Sequence, residues 1–366
     1  MKMVAKLTVI LKSVLKWNKA RIDLISSFLI ALIMVRTVNL TEIASAMPGK
    51  ASQSSKYRRL KRFFEQFEIC YRSIAFLIVK LLPISDESWD LSMDRTNWKL
   101  GKKNINPLVM GIVHLGVAFP IRWITFSKRG NSNTEERISL IDWFIKVFGI
   151  NKINCLYADR EFVGKEWIEY LLEKGIHFCI RIRGNFMVAN SRGLLVHVNC
   201  LFRNLKPGEY KVLEGKRLIN GHYLHVIGMM LPDGNYLVLV TDKNPDQALE
   251  NYKKRWGIET LFQCLKERGF NFEDTRITFP ERIDKLIALL AIAFTWCHVI
   301  GQWRNNQKRI KVKKHGRKEI SLFRYGLDYI RQILLKFHEN QREFYAIVRK
   351  TLERQLLLNL KTKTLL

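Results

Sequence analysis

The segment YKKRWGIETLFQCLKERGF, residues 252–270, has a helix's composition but an uneven placement of charge. Each helical residue advances about 100°, so with Tyr252 at zero Arg255 falls at about 300°, Glu259 at about 340° and Lys266 at about 320°. One tyrosine, two cations and one carboxylate therefore share a stripe about 60° wide. Ile258, Leu261, Phe262 and Leu265 fill the adjoining sector. The stripe thus runs beside the expected buried face, with a glutamate held between two cations.

Working outward, the chain has 366 residues and 48% hydrophobic residues, enough for two or three domains and a sizeable core. Lysine and arginine total 62 against 33 acids, a formal charge of +29, which calls for a polyanionic partner. Residues 1–85 carry +11 and residues 304–366 carry +12, leaving +6 for the middle. A working core between two anion-gripping flanks is expected. The six cysteines show neither C-x-x-C nor zinc spacing, as in a reduced cytoplasmic protein. His222 and His225 fall on opposite faces of a strand-like stretch, which argues against a shared metal. The apolar runs Leu24–Val35 and Leu286–Trp303 are read as buried helices; the second contains Thr295, His298 and Gln302. No membrane association is expected.

Along the chain, residues 1–85 are helical, and VNLTEIASAMPGKASQSSKYRRLKRFF resembles a helix-turn-helix. Thr41 is read as its first cap and Pro48-Gly49 as the break; the second helix carries Lys56, Arg58, Arg59, Lys61 and Arg62, of which Arg58, Arg59 and Arg62 are candidate DNA contacts. At about residue 87 the period becomes alternating: in WDLSMD, Trp89, Leu91 and Met93 point one way and Asp90, Ser92 and Asp94 the other. Two further strands bent near Gly116, an amphipathic helix and the strand INCLYAD ending at Asp159 follow. This order suits an α/β fold with a mixed sheet. Residues 176–242 turn to short strands, with a hairpin at Asp233-Gly234, and are read as a β-rich insertion. The expected organisation is a helical DNA-binding region at 1–85, a catalytic domain in two parts at 86–175 and 246–303, an insertion at 176–245 and a basic helical region at 304–366.

Three acids stand out by position. Asp94 and Asp159 each close a strand, and if those strands are neighbours the carboxylates meet at one edge, with Glu259 approaching from the helix. Clustered carboxylates repel unless a hard cation neutralises them, which makes Mg²⁺ the natural occupant, with Mn²⁺ as its substitute. Two such ions about 3.5–4 Å apart clamp the attacking and leaving oxygens of a phosphoryl displacement. Arg255 and Lys266 are then expected to hold phosphates of the strand being cut, and Tyr252, on the same stripe, to contact the DNA.

On these residues the sequence resembles the DDE transposases of bacterial insertion sequences, in the branch founded by insertion sequence four. Tyr252, Arg255, Glu259 and Lys266 match that branch's Tyr-Arg-Glu-Lys signature at every position, MDRTNWKLGK resembles the segment around its first acid, Asp94, and YADREF that around its second, Asp159. The resemblance covers roughly residues 85–335. It implies a ribonuclease H-like core interrupted by a β-strand insertion between the second Asp and the Glu. It further implies cut-and-paste movement of an element with terminal inverted repeats by hydrolysis and strand transfer, in a nucleoid-associated bacterial protein. Hairpin-forming members stack a flipped base on a tryptophan in the insertion, yet none occurs between Trp167 and Trp256. Phe186, Tyr210, Tyr223 and Tyr236 are the candidates left, each read as a sheet-packing residue.

The partners expected are double-stranded DNA, as element ends and as target, and a second copy of the chain on that DNA. A two-ended element needs two acid clusters, and C2 is the simplest closure. The apolar LERQLLLNL at 352–360 is either a dimer contact or a core-packing helix. Two other functions remain at this stage, a non-catalytic element-end binder and a ribonuclease H-fold nuclease that does not join strands.

Overall fold

Asn18, Asn39 and Ser52 stand in extended backbone, and each side chain accepts an amide from the turn that follows, at 3.0, 3.0 and 3.3 Å. These caps separate four helices: α1 (Lys2–Lys12), α2 (Lys19–Val35), α3 (Leu40–Ala46) and α4 (Gln53–Gln66). The computed structural model describes residues 2–314 and 316–363, with side chains through Leu352. Thr41 is not the cap of α3; it lies in the first turn, and Asn39, two residues earlier, accepts its amide. Helix α5 (Tyr71–Leu81) completes the N-terminal region, and the apolar run in α2 is buried.

A mixed sheet follows. Strands β1 (Trp89–Arg95), β2 (Trp98–Leu100), β3 (Lys103–His114) and β4 (Val117–Phe126) come first, and β3 turns into β4 through Leu115 and Gly116, both at positive φ, a turn that matches strand twist. Helix α6 (Thr134–Phe148) opens with a capping box between Asn133 and Glu136. Strand β5 (Ile153–Ala158) pairs parallel with β1, and Met93 opposes Ala158, so Asp94 and Asp159 come next at the same edge. Alternation had already set the apolar side chains of β1 apart; the pairing of β1 with β5 makes the two aspartates neighbours.

After α7 (Lys165–Glu173), β6 (Phe178–Ile182) pairs parallel with β5. Strands β7 (Met187–Ala189) and β8 (Leu195–His197) form a small separate ribbon. Then β9 (Tyr210–Val212), β10 (Arg217–Ile219), β11 (His222–Met230) and β12 (Tyr236–Thr241) extend the main sheet, in the order β10-β11-β12-β6-β5-β1-β3-β2, with β4 on β3 and β9 on β11. The stretch 176–245 is therefore not set apart from the sheet. β6 is a core strand, and the β11–β12 hairpin, turned at Asp233-Gly234, is hydrogen-bonded to it through β12. Strand pairing, not local composition, decides this.

The chain returns through α8 (Ala248–Tyr252), α9 (Trp256–Leu265), α10 (Pro280–Gln307), α11 (Leu322–Leu335) and α12 (Gln341–Lys363). Helix α10 is long and apolar enough to cross a membrane, but 89% of its most apolar window is buried within the fold. It packs on β4, α2, α4, α5, α9 and α11, while α12 packs on α1 and α5. The two basic flanks thus converge in one helical body around α10. The apolar segment 352–360 lies in α12, and of its side chains only that of Leu352 is among those described.

Candidate active site

The polar side chains of β1 do not face solvent. A tight turn of 3-10 helix at 253–255, between α8 and α9, lies over them. Lys254 Nζ is 2.8 Å from Asp90 Oδ2, Ser92 Oγ donates to the Arg255 carbonyl at 3.3 Å, and Arg255 Nη1 is 3.5 Å from Asp94 Oδ2. The other terminal nitrogen of Arg255 donates to Glu259 Oε1. Arg255 is 6% exposed, and its guanidinium carbon lies 5.8 Å from the ring centroid of Tyr252 and 5.9 Å from that of Trp256. One guanidinium therefore ties the helix-borne acid to the first strand-borne acid.

The expected single helix over 252–270 is broken at both ends. The turn at 253–255 interrupts it because docking on β1 outweighs helical regularity there, and α9 stops at Leu265. Beyond it the chain folds back, and Gly269 lies so close to the Cys264 carbonyl that a Cβ would be 2.0 Å from it. The stripe of four residues is dispersed as a result. Tyr252 is 2% exposed, and its hydroxyl donates to the carbonyl of Ala158 at 3.2 Å, just before Asp159. It presents no group to a nucleic acid. Lys266 pairs with Glu273 at 2.5 Å over the ring of Trp98.

Asp94 accepts the Arg95 amide at 2.7 Å and Asp159 that of Arg160 at 2.5 Å. Burial pushes the Asp94 carboxyl up to about 7, against the pull of the Arg95 amide and Arg255, while Asp159 and Glu161 push it higher. Among the described residues no three His, Cys, Asp or Glu side chains form a group that could hold a metal ion. Glu259, its side chain 45% exposed, is turned to Arg255.

Two residues beside the aspartates form a clamp that spacing did not reveal. Arg95 donates to both oxygens of Glu161, at 2.6 and 2.7 Å, and also to Asn106, Asn131 and the Gly130 carbonyl. Glu161 further accepts from Ser132, which Arg137 holds at 2.9 Å. The residue after the first aspartate is thereby locked to the residue two past the second. The only sequence signal was Asp-Arg in one segment and Asp-Arg-Glu in the other.

Past Asp159 opens a cleft of about 580 Å³, lined by Arg160, Arg181 and Arg183 and by Asn185, Asn199 and Asn235. Among the described lining residues the one acid, Asp233, is bonded to Asn235. Farther away, Arg58, Arg59, Lys61 and Arg62 are exposed along α4, whereas Lys56 turns inward and donates to the Met47 carbonyl at 2.6 Å, at the end of α3. Lys56 thus leaves the expected basic face. Tyr210 and Tyr223, read as sheet-packing residues, are instead 59% and 67% exposed; Phe186 and Tyr236 are half-buried.

A family model described as the transposase DDE domain matches residues 85–296, more than half of the chain. No curated protein matches the chain.

Proposed function

The chain belongs to the DDE-domain transposases, and from that premise we propose that it is a cut-and-paste transposase of the insertion-sequence-four type, with a ribonuclease H-like core, acting at the inverted repeats of its element. The observation that carries the reading is the parallel pairing of β1 and β5, which ends in Asp94 and Asp159 side by side with Glu259 linked to Asp94 through Arg255.

Members of this family generally use divalent metal ions. The residues fit such an ion in donor chemistry. All three acids offer hard oxygen ligands, and a buried Asp94 carboxyl raised to about 7 is one that a neighbouring cation would stabilise in its charged form. Asp94, Asp159 and Glu259 would hold Mg²⁺ or Mn²⁺, two ions in the full site, with Glu259 leaving Arg255 to do so. Bound there, the ions supply an activated attacking oxygen and a stabilised leaving oxygen for in-line displacement.

The other residues act on position and charge. Arg255, released from Glu259, is free to meet a DNA phosphate, for which its planar fork is suited. Tyr252 holds the backbone that ends in Asp159, and the Arg95–Glu161 clamp sets the spacing of the two aspartates. Arg160, Arg181 and Arg183 grip the backbone of the strand leaving the site, while Arg58, Arg59 and Arg62 bind duplex beyond it. Lys266 reaches phosphate only by leaving Glu273. Hydrolysis at an element end frees a 3′-OH, whose attack on target DNA repeats the same displacement in the same site. Two chains act on two ends in a C2 complex formed on DNA.

Asp94→Asn, Asp159→Asn and Glu259→Gln test the assignment: each should reduce Mg²⁺-dependent cleavage by at least about a thousandfold while DNA binding persists. Binding lost in step with cleavage would remove the metal-site assignment. Mixtures of wild-type and Glu259→Gln chains should give products cut at one end only; all-or-none cleavage in proportion to the wild-type fraction would exclude the paired complex.

A further inference from the structure

Between α10 and α11 the chain leaves the body of the protein as an antiparallel arm. Val312 bridges Lys318, Lys313 N–H donates to the Arg317 carbonyl at 2.9 Å, and Glu319 N–H donates to the Lys311 carbonyl at 2.8 Å. Every described residue from 311 to 321 is exposed, and Val312 is 58% exposed. Residues 308–318 contain Lys308, Arg309, Lys311, Lys313, Lys314, Arg317 and Lys318 and no acid.

The mount is rigid although the arm is bare. Asn305 accepts the Ile310 amide at 2.9 Å, and the Tyr325 hydroxyl donates to the Lys308 carbonyl at 3.1 Å. At its root α10 and α11 touch backbone to backbone: a Cβ on Gly301 would be 1.9 Å from the Leu322 carbonyl, and one on Gly326 1.8 Å from that of Cys297. A lone two-stranded hairpin is marginal in water, and this one sets Lys313 opposite Arg317, with Glu319 opposite Lys311 as its one described acid.

We propose that this arm is a β-ribbon that enters the major groove of duplex DNA. The groove, about 12 Å wide, admits a two-stranded ribbon. Alternation sets Lys311, Lys313, Arg317 and Glu319 on one face and Val312 and Lys318 on the other, so each face carries a net positive charge toward one phosphate wall. The arm is also near the catalytic helix. The His298 ring on α10 lies 4.9 Å from that of Phe119 on β4, and His298 feels the charges of His114 and Lys318. On the same hairpin of strands, Gly257 of α9 rests against Val117 and Ala118. Arm and Glu259 helix therefore share one support.

The inference rests on the transposase reading for the identity of its ligand, and the experiment separates the two. Binding of the full chain to a labelled random-sequence duplex is measured against salt for the wild type, for Lys311→Gln/Lys313→Gln/Lys318→Gln, and for a control with equal charge loss, Lys146→Gln/Lys174→Gln/Lys206→Gln. The arm variant should lower the slope of log affinity against log salt by about 0.9 per contact, about 3 in all, and the control should not. Equal slopes in wild type and arm variant, or an equal fall in the control, would overturn the arm. Mg²⁺-dependent cleavage by the wild type of a second duplex, carrying the element's terminal inverted repeat, reports on the reading itself: binding through the arm without cleavage of that duplex leaves the arm standing and the transposase reading without support.

Discussion

Arg255 stands 3.5 Å from Asp94 with its guanidinium also bonded to Glu259, so a buried cation occupies the place between two acids. Its Nε and Nη1 have no hydrogen-bond acceptor among the described residues, which makes the contact with Asp94 one of charge. Removing Arg255 as Arg255→Ala leaves Asp94 buried without that charge and should cost about 3 kcal/mol of stability. Added Mn²⁺ should recover more stability in the variant than in the wild type, measured by urea unfolding with and without the ion. Equal recovery would mean that Arg255 does not stand in for a metal.

Tyr252 acts inside the fold. Tyr252→Phe deletes the hydrogen bond to Ala158 and should lower stability by about 1 kcal/mol, slow cleavage and leave DNA affinity unchanged. A matched drop in affinity would return Tyr252 to direct DNA contact.

The Arg95–Glu161 pair is bidentate and mostly buried, with side chains 13% and 15% exposed. A double-mutant cycle with Arg95→Gln and Glu161→Gln should give a coupling of about 2 kcal/mol. Both single variants should slow cleavage with nearly unchanged metal affinity, read by calorimetric titration with Mn²⁺. Loss of Mn²⁺ binding in Glu161→Gln would instead make Glu161 a ligand.

In the cleft beyond Asp159, replacing Arg160, Arg181 and Arg183 by Gln should lower the salt slope of DNA binding by about 0.9 for each phosphate released. A slope unchanged in the triple variant would leave these arginines to the solvent.

Asp284 sets a pH dependence of stability. Buried on α10 against Thr125 at 2.7 Å, its carboxyl is pushed by that burial from the ordinary 3.8 up to about 7. Below about pH 4 it is protonated in both folded and unfolded chains; as pH rises from about 4 to about 7 the unfolded chain ionises first and stability falls, levelling off above 7. Relative to Asp284→Asn, the wild type should lose on the order of 4 kcal/mol across that window. Urea titrations at the two ends of it check this, and a constant difference between the proteins would refute it.

Much of the local structure was legible. Alternation in WDLSMD located β1 and its two faces, the apolar run at 286–303 lies in a buried helix, and the turn signals at Gly116 and Asp233-Gly234 coincide with hairpins. The helix at 252–270 was misread because its hydrophobic period continues through the 3-10 turn. That Lys56 and Tyr252 turn inward was not legible, because residue type does not tell whether a polar tip has an internal acceptor; here the Met47 and Ala158 carbonyls supply one.

The sequence by itself determined the elements, the charge of the flanks and the acids that end β1 and follow β5, because caps, turns and periodicity act over a few residues. Only the tertiary structure decided that β6 continues the core sheet, that Arg255 links Glu259 to Asp94, and that Arg95 locks onto Glu161. Those contacts join positions far apart in the chain. Their geometry follows from strand pairing and from the need of buried charges for partners, and neither leaves a spacing in the sequence.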